Sequence, residues 1–308
     1  MRRRTVLLTG AALPFVRPSV SALAADPGSA NPAAANPASA NPGTVDVLYA
    51  GSLVNLMEHG IGPGFDNATD GRFRGYAGGS NKLANEVKGQ LRRGDVFISA
   101  NTRVNDDLAG AANGNWVSWY LIFAQSPLVI GYSPSSRFAA ALQTQPWYQV
   151  VRQPGIRIGR TDPLLDPKGQ LTVALLDKAA QVYHLPGLTA QVLGAPENPA
   201  QVFPEENLVG RLQSGQLDLG FFYSTETTDL KIPAIKLPPE TALSARYTVT
   251  ILRGARNPQG AERFIAYLLG RDGRDLMQRH GLDATPATVG GDAGSVPAAI
   301  KTVLNAAK

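Results

Sequence analysis

The 308-residue sequence contains no cysteine. That absence excludes disulfides, thiolate metal sites and a cysteine nucleophile. It also removes the residue to which lipid is attached after a signal, so no lipid anchor is expected. Histidine is scarce: His59, His184 and His280 are the only three, and none is spaced as a metal pair of the H-x-x-x-H kind. There is no G-x-x-x-x-G-K-[ST] phosphate loop and no G-x-S-x-G nucleophile elbow, and Gly78-Gly79-Ser80 is too short for a dinucleotide fingerprint. Asp106-Asp107 lacks further acids at calcium-loop spacing. No cofactor is expected. No apolar run approaches the ~20 residues of a membrane-spanning helix.

What is present begins with an export-like leader. Arg2-Arg3-Arg4 precedes a mostly apolar stretch from Val6 to Val16, and Ala22-Leu23-Ala24 supplies small residues for cleavage. Residues 1–24 therefore read as a signal peptide, and the adjacent arginines point to the twin-arginine route. Loss of Arg2, Arg3, Arg4 and Arg17, with no acid among these residues, takes the formal charge from +5 to +1. A nucleic-acid role then loses its electrostatic basis. Residues 25–43 are rich in Asn, Pro, Ala and Ser and read as a flexible leader that cannot bury a core. The expected location is the periplasm.

The remaining 265 or so residues suffice for two lobes. Val45–Ala50 reads as a buried strand that turns at Gly51-Ser52 into a helix. Gly75–Gly79 reads as a Gly-rich turn, and Ser80 opens a helix with Leu83, Val87 and Leu91 on one face. Asp95–Ser99 is the next strand. This alternation implies βαβ units. Two apolar strands are expected near Val117–Ala124 and Leu128–Tyr132. Later elements are a helix over Pro167–Tyr183, a short helix over Asn207–Ser214, strands at Leu217–Tyr223, Ile232–Leu237 and Tyr247–Leu252, and three C-terminal helical segments. The order predicts an α/β, two-lobed fold of the type II periplasmic-binding-protein kind, with mixed sheets and a two-strand hinge. Residues 44–125 and 246–308 form lobe 1, and residues 126–245 form lobe 2. Such lobes close about a hinge.

Several helix starts carry glycine or hydroxyl residues directly after strands or turns: Gly51-Ser52, Gly79-Ser80, Thr161-Asp162 and Ser224-Thr225. Helix starts present unpaired N–H groups and partial positive charge, and open α/β sheets gather them where ligands bind. Two starts from each lobe would surround a small oxyanion with neutral donors.

These residues resemble the molybdate/tungstate-binding proteins of ABC transporters. Tyr49-Ala50-Gly51-Ser52-Leu53 is similar to that family's AGSL start, and Gly78-Gly79-Ser80 to its second serine loop. Ile158-Gly159-Arg160-Thr161-Asp162-Pro163 with Asp166-Pro167-Lys168-Gly169 resembles its "G-x-[ST]-D-P…DP-x-G" segment. Gly215–Asp218 through Phe221–Ser224 resembles its "G-x-L-D…Y-[KS]" strand, and Ala255–Pro258 its return loop. The resemblance implies a monomer that captures molybdate or tungstate and delivers it to a membrane permease without catalysis. It implies ligand contacts from Gly51, Ser52, Gly79, Ser80, Asp162 and Tyr223, with Asp162 a possible ligand of the oxyanion's own metal centre. Where archaeal-type members carry a glutamate before the tyrosine, this chain has Phe222, which favours four-coordinate binding through hydrogen bonds. Asp162 is read as a helix cap, and Glu226 as a possible replacement for the missing acid.

Sulfate, thiosulfate and phosphate are rival ligands. A periplasmic serine hydrolase is the alternative from another class, with Ser52 or Ser80 as nucleophile and His59 as base.

Overall fold

The computed structural model describes residues 43–306. The signal peptide and all of the leader except Gly43 lie outside the described residues.

The described chain forms nine strands: β1 (Thr44–Ala50), β2 (Arg72–Gly78), β3 (Val96–Ser99), β4 (Trp119–Tyr132), β5 (Ile158–Gly159), β6 (Leu219–Tyr223), β7 (Ala234–Lys236), β8 (Ser244–Ile251) and β9 (Asp283–Gly291). The helices that matter below are α1 (Ser80–Lys88), α2 (Pro167–Val182), α3 (Glu205–Gln213), α4 (Ser224–Asp229), α5 (Pro258–Leu269), α6 (Arg271–Arg279) and α7 (Ala298–Ala306). Parallel pairing joins β1 to β2 and β3, as βαβ units require. β8 then runs antiparallel to β3 and β4, and β9 antiparallel to β4. A second group pairs β5 with β6 in parallel, and β6 and β7 with β4 antiparallel.

β4 belongs to both groups. Up to Pro127, which sits opposite Ser244, it pairs with β8; from Leu128, opposite Tyr223, it pairs with β6. The two strands expected at 117–124 and 128–132 are thus one continuous strand. Pro127 cannot donate to a ladder, and it stands where the partner changes.

Period-two alternation assigns each face its helices. In the first sheet Leu48 and Phe97 pack with Leu83 and Val87 of α1. Val47, Tyr49, Val96 and Ile98 point the other way, into a cluster with Phe264 and Ile265 of α5. In the second sheet Phe221 and Tyr223 share the large cluster with Leu175 and Leu176 of α2, whereas Phe222 packs with Leu208 and Leu212 of α3. Each such fully buried side chain contributes ~1.5–3 kcal/mol.

Asp95 fastens the first sheet to the return loop. Its Oδ2 accepts from Asp46 N at 2.9 Å, and its Oδ1 from Arg256 N at 2.7 Å and Asn257 N at 2.9 Å. Asn257 then caps α5 by accepting from Gly260 N at 2.9 Å, with Pro258 as the first helical residue.

Two expectations need correction. Residues 75–78 are not a turn but the end of β2, paired with β1 as far as Gly78. β9 was not foreseen; its Pro286 and two glycines obscure the pattern, and an edge position tolerates them.

Candidate functional site

The strand-to-helix turn after β1 enters a helical run over 51–68. It begins as a 3₁₀ turn at Gly51–Leu53 and includes a π-helical turn at Met57–Ile61. Ser52 is buried, and its hydroxyl lies 2.8 Å from the Tyr247 hydroxyl of β8. Ser80, the first residue of α1, is also buried, and its Oγ accepts from Ala100 N at 3.1 Å. Both first-side serines therefore already have protein partners.

The second-sheet side meets these turns directly. At Gly51 an added Cβ would stand 2.8 Å from Glu205 Cδ. At Gly79 it would stand 2.5 Å from the Leu165 carbonyl oxygen and 3.1 Å from Asp166 Oδ2. Gly79 thus makes room for a backbone carbonyl that cannot easily shift, whereas the space at Gly51 is taken by the Glu205 carboxyl group. Lys82 N near the start of α1 donates to Leu165 O at 3.0 Å, and Asn81 Nδ2 donates to Leu164 O at 3.1 Å.

Around Glu205 the structure builds a buried ionic cluster that the sequence did not announce. Lys168 is 0% exposed, Glu205 8% and Glu226 6%. Lys168 Nζ donates to Glu205 Oε1 at 3.0 Å and to Glu226 Oε1 and Oε2 at 2.8 and 3.0 Å. An ammonium has three N–H donors, so none remains for an external anion. Burial works against the Lys168 charge, but Glu205, Glu226 and Asp166 outweigh it and hold its pKa above the ordinary value. Burial first, then the neighbouring Asp166 carboxylate, pushes Glu205 well above the usual glutamate range. Glu226 carries the ion pair with both oxygens and also accepts from Tyr223 N at 2.8 Å.

Tyr223 closes the cluster. It is 1% exposed, and its hydroxyl is a buried polar atom with no hydrogen-bond partner. Its ring meets that of Tyr247 edge-on, with centroids 6.1 Å apart. Burial raises the pKa of both phenols, so they stand as neutral O–H groups.

The remaining candidates are placed as follows. Asp162 does not cap α2. It accepts from Leu164 N at 2.8 Å in a local turn, and the cap is Asp166, which accepts from Lys168 N at 2.7 Å. Arg160 is buried and gives its guanidinium to the carbonyls of Ala195 and Pro196. Glu226 faces Lys168, with no place left for a role as a free acid. Phe222 points into the packing of α3. The start of α4 is satisfied internally, with Thr225 N donating to Ser126 Oγ at 3.2 Å. His59 is exposed, and the Ser52 hydroxyl is bonded to Tyr247 instead, so Ser52 lacks the base that a hydrolase needs.

Two cavities flank Glu205. One of about 300 Å³ is lined by Gly79, Lys82, Asp162, Asp166, Glu205 and Glu206. The other, of about 220 Å³, is lined by Gly51, Ser52, Asn55, Glu205, Glu206 and Glu226. Gly51 and Ser52 thus open on one cavity and Gly79 and Asp162 on the other, while Ser80 and Tyr223 line neither. The six sequence-derived residues do not share a single cavity in this conformation, because Glu205 stands between the two spaces. Tyr247, Lys168, Glu205 and Asp166 were missed by sequence reasoning. The one available signal was Lys168, a cation in the first turn of a helix, where the helix dipole disfavours it.

Residues 45–283 match the family model described as bacterial extracellular solute-binding protein. The chain belongs to that family. Among its relatives, the molybdate/tungstate-binding protein WtpA of Thermococcus kodakarensis is 24% identical over 280 residues, covering 76% of this chain and 78% of the relative. A Haloferax volcanii protein named for molybdenum binding in an ABC transporter is 30% identical over 202 residues, covering 65% of this chain and 62% of the relative. The solved periplasmic molybdate-binding protein of Azotobacter vinelandii superposes with a TM-score of 0.60 at 19% identity, over 77% of this chain and 98% of that one. The sulfate-binding protein SubI of Mycobacterium tuberculosis superposes with a TM-score of 0.60 at 12% identity, over 86% and 91%. This solute-binding protein therefore has the two-lobed α/β fold of periplasmic binding proteins.

Proposed function

We propose that this solute-binding protein captures molybdate or tungstate between its two lobes and delivers it to an ABC importer. Lobe 1 comprises residues 44–125 and 246–308, and lobe 2 residues 126–245, with β4 and the segment leading into β8 as the hinge. The oxyanion is held by the backbone at Gly51 and Gly79, the hydroxyls of Ser52, Ser80 and Tyr223, and the turn at Asp162. The protein works in the periplasm as a monomer without catalysis, after export by the twin-arginine route.

The observation that carries this reading is the orphaned Tyr223 hydroxyl. A buried donor without a partner costs ~1–3 kcal/mol, which a ligand oxygen would recover. It lies beside Tyr247, which reaches Ser52, so donors from both sides converge on one region. The names of the relatives supply the choice of molybdate and tungstate. Serine hydrolysis is disfavoured by the Ser52–Tyr247 bond, which leaves no base on that serine.

Thermal unfolding with molybdate, tungstate, sulfate and phosphate in parallel tests the ligand. At a hundred times Kd a ligand adds ~2.7 kcal/mol, which for a chain of this size raises Tm by roughly 5–10 °C. Molybdate or tungstate is expected to give the largest rise, with micromolar or tighter affinity by calorimetry. A rise with sulfate or phosphate alone would overturn the ligand and leave the fold intact.

A further inference from the structure

The charges buried around Glu205 do not balance. Glu205 starts α3, Asp166 caps α2 and Glu226 lies in the first turn of α4, and one ammonium, Lys168, serves all three. β6 and β8 contribute only the neutral phenols of Tyr223 and Tyr247, and the Gly51-Ser52 turn adds no charge. Lys82, Asp162 and Glu206 line the cavity on one side of Glu205, and Glu206 and Asp229 line the other. Fully ionised, the inner four groups would carry a net charge of −2, which a buried site does not hold without a proton.

Glu205 and Asp166 line one cavity and stand within side-chain hydrogen-bond reach of each other, which places that proton between them. Both Glu226 oxygens are taken by Lys168. Glu205 gives Oε1 to Lys168, and Asp166 gives Oδ1 to Lys168 N and the Thr161 hydroxyl. Among the described residues, Glu205 Oε2 and Asp166 Oδ2 have no backbone or side-chain donor. Oε2 faces Gly51 and Oδ2 faces Gly79, the two turns assigned to the oxyanion. A second observation points to a ligand beside this cluster: the Tyr223 hydroxyl is buried without a partner, and its ring centroid lies 5.6 Å from Lys168 Nζ.

We propose that Glu205 and Asp166 share a proton at the oxyanion site, so that the site takes up its dianion together with one further proton. On binding, the Glu205 O–H turns from Asp166 to an anion oxygen, and Asp166 is protonated from solvent. Glu205 thereby acts as a specificity residue: it selects oxyanions whose oxygens accept a hydrogen bond from a carboxylic acid. This rests on the oxyanion reading above.

Calorimetric titration of molybdate from about pH 6 to 9, in pairs of buffers with different ionisation enthalpies, counts the protons taken up. The wild type is expected to take up as much as one proton, with affinity falling toward about tenfold per pH unit at the alkaline end. Asp166→Asn removes the carboxylate that takes up the further proton and keeps the Glu205 acid, and it is expected to flatten that dependence. No uptake at any pH, or a wild-type slope in D166N, would overturn the proposal.

A ligand-free measurement separates this failure from failure of the oxyanion reading. Between the ordinary glutamate value and its raised folded one, the wild type holds at Glu205 a proton that its unfolded chain has released, so its Tm should fall with pH relative to E205Q. Equal pH slopes would refute the shared proton whether or not molybdate binds. If one of the two variants does not fold, the measurement on the other still decides the proposal.

Discussion

Lys168→Met tests the buried cluster most sharply. The variant keeps the length of the side chain but removes the one ammonium that Glu205 and Glu226 share. Removing one partner of a buried ion pair costs ~3–5 kcal/mol, because the charges left behind are uncompensated. In a chain of this size each kcal/mol shifts Tm by ~2–4 °C, so a fall of roughly 6–20 °C is expected at neutral pH. The loss should depend on pH with a definite sign. Glu205 already sits above the usual glutamate range in the folded protein, and loss of Lys168 raises it further. The unfolded chain releases that proton near the ordinary value of ~4.3. Between that value and the raised folded pKa the native state binds more protons, so stability falls as pH rises through this window. The deficit should be small near pH ~4 and complete once the folded carboxyl has ionised. Thermal unfolding of K168M and the wild type between those limits measures it. The triple variant K168M/E205Q/E226Q should recover most of the loss. A neutral-pH deficit below ~1 kcal/mol, or one that ignores pH, would refute the reasoning.

Tyr223→Phe should leave Tm unchanged or slightly raised, because an unpaired hydroxyl is removed, yet weaken molybdate by roughly 10- to 100-fold in calorimetry, the value of a hydrogen bond to a charged group. Ser52→Ala breaks the bond to Tyr247 and should cost ~1 kcal/mol in chemical denaturation. Gly79→Ala forces a methyl group against Leu165 O, 2.5 Å from the added carbon, and should slow closure and weaken ligand binding more than it lowers Tm. Asp95→Ala removes the acceptor of three backbone N–H groups and should cost ~3 kcal/mol or more, without changing the affinity per folded molecule.

Much of the fold was legible because burial writes simple patterns. Val47–Ala50 is a buried apolar run and lies in a strand paired on both edges. Leu83 and Val87 mark the inner face of α1 at four-residue spacing, but Leu91, expected on the same face, lies past the helix end and is exposed. Asn257-Pro258 opens α5 as a cap and first-turn proline should. Other parts were hidden for physical reasons. Pro127 made one strand look like two, since nothing local reveals a change of partner midway. The joining of Glu205, Glu226 and Lys168 was hidden, because sequence does not show that three helices bring them together in the interior. Asp162 and Asp166 carry the same Asp-Pro signal, and only the folded backbone shows that Asp166 takes the cap. The glycines at 51 and 79 were read as ligand contacts. The atoms that approach them belong to Glu205 and Leu165, which no local pattern could reveal.

The most direct measurement is an anomalous-scattering map from crystals of the mature protein grown with tungstate. A single tungsten peak is predicted between the Gly51-Ser52 and Gly79-Ser80 turns, with the Tyr223 hydroxyl pointing at one of its oxygens. An empty site at that position, or tungsten only in a remote space such as the cavity lined by Arg92, Arg93 and Trp116, would contradict it.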